Sequence, residues 1–201
     1  MVFCLLMSLG TMAQTLMREV FAELPDTVLP LMTRNNRLDC IDFIDNNMEA
    51  RVKNRFDEPI VLEALTTDYL RVRTSESAVV EMKLVPCSQD TIICVCHTCF
   101  GPVADSNVLF YDLNWGYIRT MPRPQVSEFL CIPESADSLP EAMSDTLSMI
   151  RAEAEFLPLM RASLSPDTYE VVWTLQGQEF SKLLKHVAAR YLKPLVRTVC
   201  Y

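Results

Sequence analysis

The sequence predicts an α+β fold: N-terminal helices packed on a mainly antiparallel sheet of six to seven strands, with a C-terminal helix and a final strand. Two observations lead to this prediction. Apolar residues recur at three- and four-residue steps within residues 14–58, whereas they alternate with polar residues across 60–115. Short connections separate the alternating segments, which favours an antiparallel meander. Half of the 201 residues are hydrophobic, enough for one sizeable core, and we expect a single domain over 14–201.

The first thirteen residues are uncharged and mostly apolar, and they end in Thr-Met-Ala before Gln14. This pattern is typical of a secretory signal and its cleavage site, so we expect residues 1–13 to be removed and the protein to be periplasmic or otherwise exported. The first basic residue is Arg18, so a complete signal needs a start upstream of Met1. The alternative is an N-terminal helix that buries its apolar residues. The run is shorter than the roughly 20 residues that span a bilayer, and no second run follows, so no transmembrane span is expected.

Residues 14–58 are predicted to be helical up to and beyond Pro25. The second amphipathic helix places its apolar residues at Leu38, Ile41, Ile44 and Met48. Its acidic residues are Asp39, Asp42, Asp45 and Glu49. Their helical spacing differs from that of a calcium loop, so a solvated helix face is preferred. A hydrolase built on these carboxylates is the least favoured interpretation.

Residues 60–115 are predicted to form a β-meander. Four charged residues fall on alternating positions of two neighbouring strands, and they are Arg71, Arg73, Glu81 and Lys83. We expect them to pair across strands on a solvent-exposed face of the sheet.

Residues 119–155 are rich in proline and are predicted to be an irregular connector with a short helix near 144–151. Within 156–201, a hairpin is expected from 156–164 and 168–175 around Ser165-Pro166-Asp167, which suits a type I turn. A helix over 178–192 follows, and then a final strand from 195. The apolar stripe of that helix consists of Phe180, Leu183, Leu184, Val187 and Tyr191.

Three cysteines and a histidine fall within six residues: Cys94, Cys96, His97 and Cys99. They could form a redox or metal site, which is the alternative function that we keep open. Side chains alternate along a strand, however, so Cys94 and Cys96 are expected on one face and His97 and Cys99 on the other. Packing of the thiols in the core is therefore the preferred interpretation, with no metal or cofactor.

The remaining composition argues against several classes of function. The net charge of −8 makes a nucleic-acid partner improbable. The four glycines are too far apart for a phosphate-binding loop, and only two histidines, His97 and His186, are available for acid–base chemistry. No nucleophile motif occurs. We therefore expect no catalytic residues and no enzymatic activity. Seven cysteines follow Gln14, an odd number, so at least one is expected to stay free.

Three segments resemble an uncharacterised family of exported proteins from Bacteroidales. They are Leu24-Pro25-Asp26-Thr27-Val28-Leu29-Pro30 with the following Thr33 to Asp45, then Leu65 to Leu70, and then Phe110-Tyr111-Asp112-Leu113-Asn114-Trp115. The resemblance implies export and lineage, and it implies no catalytic residues.

These observations together predict an exported, non-enzymatic module that binds a protein, a peptide or an envelope component. The thiol-dependent redox or metal-binding protein built on the Cys94–Cys99 strand is the alternative. The ligand and the oligomeric state stay open at this point.

Overall fold

Seven consecutive strands form the main sheet of the computed structural model, in the order of the sequence and with every neighbouring pair antiparallel. The structure describes residues 16–88, 90–130, 158–175 and 192–199, together with residues 145, 148, 149, 151, 152, 155 and 156. The main-sheet strands are β1 (Arg51–Lys53), β2 (Pro59–Leu65), β3 (Tyr69–Ser75), β4 (Ala78–Cys87), β5 (Asp90–Phe100), β6 (Ala104–Tyr111) and β7 (Tyr117–Thr120).

Three further strands form a second, smaller antiparallel sheet. They are β8 (Met160–Leu164), β9 (Glu170–Leu175) and β10 (Leu195–Thr198), with β9 in the centre. The helices with described bounds are α1 (Met17–Ala22), α2 (Arg34–Asp45) and α3 (Val126–Phe129). None of the described helices is both long and apolar enough to cross a membrane.

Local sequence signals explain where α2 begins. Thr33 precedes the helix in an extended conformation, and its hydroxyl accepts a hydrogen bond from the Asn36 amide at 3.2 Å. The Asn36 side chain in turn accepts from the Thr33 amide at 3.1 Å. This reciprocal pair is a capping box, which satisfies two amides that the first turn of a helix leaves without partners.

The main sheet separates two hydrophobic cores, because alternate side chains of each strand point to opposite faces. On one face lies the helix-side core, which joins α1 and α2 to strands β2–β5. On the other face lies the inter-sheet core, which joins the main sheet to α3 and the small sheet. Strand β8 lies over β4, β5 and β6, and Trp173 of β9 is fully buried there. The molecule therefore has three layers: helices, main sheet, small sheet.

The α+β prediction is confirmed, including N-terminal helices on an antiparallel sheet and a final strand beginning at Leu195. Three details differ. Residues 51–53 are strand β1 rather than helix, and the predicted hairpin and final strand make a separate sheet rather than extending the main one. The first strand of that hairpin begins at Met160, because residues 155 and 156 are helical.

The prediction of a solvent-exposed charged face is wrong for β4. Glu81 and Lys83 are each only 3% exposed, because the small sheet covers this part of the main sheet. Arg71 and Arg73, on the neighbouring strand β3, are half-buried. Of the expected cross-strand pairs, Arg71 does contact Glu81, but Arg73 contacts Glu63 and Lys83 contacts Asp68.

Several expectations fall outside the described residues. The proposed signal at 1–13 is one, most of the connector after residue 130 is another, and the helix at 178–192 with His186 is a third. Strand β7 and helix α3 occupy the first part of the segment that was expected to be irregular. The assignment of residues 14–201 to one domain stays a prediction.

Candidate interaction site

The cysteine-rich strand β5 directs Cys94 and Cys96 to one face of the main sheet and His97 and Cys99 to the other. Cys94 and Cys96 are fully buried in the inter-sheet core, whereas their neighbours Ile93 and Val95 belong to the helix-side core. His97 follows the alternation of Val95 and is half-buried, and Cys99 is exposed. The predicted separation of the two pairs is therefore what the structure has. Among the described residues, no group of three His, Cys, Asp or Glu side chains has a metal-binding arrangement.

Burial keeps the inner thiols protonated. Desolvation raises the pKa of Cys96 to about 12, and it raises that of Cys94 further. A thiolate is the reactive form of cysteine, so these side chains behave as small apolar groups. Burial also lowers the pKa of His97, which favours a neutral imidazole. Among the described residues, Cys40, Cys94, Cys96 and Cys99 are free thiols, while Cys87 is disulfide-bonded.

A buried polar network surrounds Glu81 where the main sheet meets the small sheet. The Tyr69 hydroxyl donates to Glu81 Oε1 at 2.8 Å, and Arg71 donates to the same oxygen at 3.0 Å. Arg71 also donates to Glu63 at 2.7 Å. Burial and the neighbouring Glu81 charge raise the pKa of Tyr69. The Glu81 carboxylate thus accepts hydrogen bonds from two side chains, of which Arg71 is shared with Glu63.

Lys83 joins the two sheets directly. Its ammonium pairs with Asp68 at 2.8 Å and donates to the backbone carbonyl of Pro166, in the β8–β9 turn, at 2.5 Å. On the neighbouring strands, Thr98 and Ser106 share a hydrogen bond of 2.8 Å, and both hydroxyl oxygens lie 3.4 Å from the Ala162 carbonyl oxygen. Because each hydroxyl has one hydrogen, one of them donates to the other, and the second donates to Ala162. These polar groups hold the small sheet in register on the main sheet, so their role is structural.

A different set of residues lies at the β6–β7 corner, where three side chains are exposed and two are half-buried against the helix-side core. We call the aromatic edge the group formed by Tyr111, Leu113, Trp115, Tyr117 and Ile118. The Tyr111 ring lies 5.6 Å from Trp115 in a tilted arrangement and 6.1 Å from Tyr117 in an edge-to-face arrangement. Such geometries are the ones that aromatic pairs prefer. Tyr117 is 60% exposed, and Ile118 and Leu113 are also exposed.

The turn that carries Trp115 is tightly specified. Asp112 Oδ1 accepts hydrogen bonds from the amides of Asn114 and Gly116, both at 2.8 Å. Trp115 adopts φ +64°, a left-handed conformation that is rare for a bulky side chain. A Cβ at Gly116 would lie 2.5 Å from Asp112 Oδ2, so any larger residue here displaces the carboxylate that closes the turn. The turn therefore holds a strained tryptophan against Tyr111.

Strand β7 carries the rest of the aromatic edge at the margin of the main sheet. It pairs with β6 alone, and all four of its residues are exposed. Arg119 follows Ile118 and places its guanidinium carbon 4.3 Å from the ring centre of the buried Phe110. The other margin, β1, is only three residues long and carries Arg51 and Lys53. Charged residues on an edge strand hinder its pairing with other chains. The β1 margin carries such residues, whereas the β7 margin carries aromatic and aliphatic side chains beside Arg119.

The aromatic edge was not predicted from the sequence. A signal was present, because Phe110, Tyr111, Trp115 and Tyr117 place four aromatic residues within eight positions. Alternation along a strand shows which side chains share a face, but it does not show which faces the helices leave open.

A pocket with a volume of about 270 Å³ lies beside α3. It is lined by Pro124, Gln125, Val126, Ser127, Glu155, Pro158 and Met160.

The chain is similar to known proteins along most of its length. Residues 8–199 match the family described as "Protein of unknown function (DUF3256)". A solved domain of an uncharacterized protein from Porphyromonas gingivalis W83 shares the fold, with a TM-score of 0.71 and 24% identity over 90% of this chain and 92% of that one. That organism belongs to Bacteroidales, the order of the family that the sequence motifs resemble. No curated protein matches the chain. The chain belongs to the DUF3256 family of proteins of unknown function.

Proposed function

We propose that this protein is an exported, non-enzymatic module that binds a protein or peptide at the aromatic edge. The observation that carries the proposal is the half-buried Trp115, held at φ +64° against Tyr111 and beside the exposed Tyr117. Strained backbone of this kind costs roughly 1–3 kcal/mol and concentrates at functional sites. Tyrosine and tryptophan are also enriched in the centres of protein interfaces. Trp115 also packs against the helix-side core, and Tyr117, which is 60% exposed, is the aromatic ring of this group that is open to a partner.

The non-enzymatic part of the proposal is supported by the chemistry of the described residues. The buried thiols have raised pKa values, and the Glu81 carboxylate is engaged by Tyr69 and Arg71. Within the described residues, no thiol or hydroxyl donates to His97. A nucleophile needs a base within hydrogen-bond reach, so the described residues favour binding over catalysis.

Export is supported by two features. Residues 1–13 are uncharged and end in a small-residue pattern before Gln14. Cys87 is disulfide-bonded, and stable disulfides are typical of oxidising compartments. Sequencing of the amino terminus of protein recovered from envelope and cytosolic fractions tests this part. We expect a terminus at or near Gln14 in the envelope fraction, and an intact Met1 in the cytosol would contradict export.

Site-specific photo-crosslinking tests the binding part. Photoreactive p-benzoylphenylalanine replaces Tyr117 in the aromatic edge or, as a matched control, Phe56, which is 75% exposed at the β1–β2 turn. The full chain is expressed in its own cell envelope and irradiated. We expect a discrete crosslinked polypeptide with the probe at 117 and none with the probe at 56. Equal crosslinking at both positions would indicate general surface contact and would contradict a specific site.

A further inference from the structure

We propose that the aromatic edge recognises an acidic, apolar polypeptide segment, and that Arg119 supplies the ion pair that orients it. This inference rests on the proposed function and names the chemistry of its partner. It follows from the positive charge of Arg119, from the apolar side chains beside it, and from the short, bulged strand β7.

Arg119 is a preorganised cation without an acidic partner among the described residues. Its guanidinium lies against Phe110, which is fully buried and therefore fixed. Five exposed arginines elsewhere on the described surface pair with a carboxylate, and they are Arg18, Arg34, Arg51, Arg55 and Arg123; Arg151 is exposed and has no such pair. A planar guanidinium stacked on a ring keeps its hydrogen-bonding edge available for a carboxylate, which it can bind in a bidentate manner.

Apolar side chains flank this cation along the chain. Leu113, Tyr117 and Ile118 are all exposed and belong to the same turn and strand. Interfaces place aromatic and aliphatic anchors at their centre and charged pairs around them. A partner segment that combines a carboxylate with apolar side chains matches this arrangement. The net charge of −8 repels an acidic segment overall, so its binding at the aromatic edge needs a local cation, which Arg119 supplies.

The shape of β7 favours recognition by side chains over addition of a strand to the sheet. Arg119 pairs with Phe110 and Tyr117 pairs with Tyr111, which leaves Ile118 as an extra residue in a bulge. The strand has only four residues, and prolines follow at 122 and 124. Bulges, short strands and prolines protect edges from pairing with other chains. Tyr117 lies beside Tyr111 on the helix side of the main sheet, and Arg119 lies over Phe110 on the other side. A partner segment therefore reaches both side chains by crossing the margin of the sheet that β7 forms.

Selection of peptides from a random phage-displayed dodecapeptide library tests the inference. The full chain, its Arg119→Glu variant and the control Arg51→Glu variant are panned in parallel, after thermal melts show that all three fold. Arg51 is a matched control because it is an exposed arginine on the opposite margin of the main sheet. The wild type and Arg51→Glu are expected to enrich peptides that combine Asp or Glu with apolar residues. Arg119→Glu is expected to bind those peptides about tenfold more weakly and to enrich basic peptides instead.

Two outcomes overturn the inference in distinguishable ways. If wild type and Arg119→Glu enrich the same peptides, and these bind less tightly to Tyr117→Ala, then the aromatic edge binds peptides but Arg119 does not select acidic ones. Recovery of no peptide, or of peptides that bind Tyr117→Ala as tightly as the wild type, would contradict the proposed function itself. Peptides selected by charge also lose affinity as salt rises, which separates ion pairing from apolar contact.

Discussion

Truncation of Glu81 is the perturbation that tests the inter-sheet network most sharply. Glu81 is 3% exposed and accepts hydrogen bonds from the Tyr69 hydroxyl at 2.8 Å and from Arg71 at 3.0 Å. In Glu81→Ala, both donors lose their acceptor beneath the small sheet. We therefore expect the free energy of unfolding to fall, and the size of the loss follows from what each donor retains.

The two donors contribute unequally to that loss. A buried hydroxyl left without a partner costs about 1–3 kcal/mol, and removal of one partner of a buried ion pair costs about 3–5 kcal/mol. In the variant, Arg71 still donates to Glu63 at 2.7 Å, and its side chain is 24% exposed. We therefore expect its contribution to the loss of stability to be well below that of a fully buried ion pair. We expect Glu81→Ala to cost about 2–4 kcal/mol. For a chain of this length that corresponds to a fall in Tm of roughly 4–16 °C.

Urea denaturation followed by circular dichroism measures the effect. Glu76→Ala is the matched control, since Glu76 is an exposed glutamate in the turn between β3 and β4; it should cost about 0.5 kcal/mol or less. A double-mutant cycle of Glu81→Ala with Tyr69→Phe should give a coupling energy of about 1–2 kcal/mol. A loss for Glu81→Ala no larger than that of Glu76→Ala would show that the small sheet does not cover Glu81, and would refute the reasoning.

Three further predictions follow from the structure. Gly116→Ala should destabilise the protein by about 1–2 kcal/mol in urea denaturation, because the new Cβ displaces the Asp112 carboxylate; an unchanged midpoint would contradict this. Alkylation with iodoacetamide at pH 8, read by mass spectrometry, should modify exposed Cys99 and spare Cys96, whose pKa is raised to about 12; equal labelling of native protein would contradict that burial. Partial burial raises the pKa of Glu63, but hydrogen bonds from two arginines outweigh it and lower that pKa overall. Its contribution to stability is then present above about pH 4.3 and lost as the pH falls through the folded pKa, so Glu63→Gln should weaken the acid dependence of the unfolding free energy.

Local patterns in the sequence predict a helix or a strand well where its structure depends mainly on contacts between neighbouring residues. The apolar spacing of α2 and its Thr33 cap define that helix, and alternation along β5 separates Cys94 and Cys96 from His97 and Cys99. Those assignments depend on contacts between neighbours in sequence.

Contacts between distant segments account for what the sequence analysis missed. Glu81 and Lys83 alternate as residues of a solvated face would, but the small sheet that covers them begins at Met160. The contact of Lys83 with Pro166 spans 83 residues, and no local pattern reports it. Trp115 was similarly missed, because its positive φ depends on the hydrogen bonds of Asp112 rather than on hydrophobic periodicity.

The central claim is that the aromatic edge binds polypeptide, and a calorimetric comparison of three proteins tests it most directly. Peptides selected on the wild type are titrated into the wild type, Tyr117→Ala and Phe56→Ala, where Phe56 is an exposed aromatic residue away from the edge. We predict the same Kd for the wild type and Phe56→Ala, and a Kd about tenfold weaker for Tyr117→Ala. The same Kd for all three proteins would contradict the account.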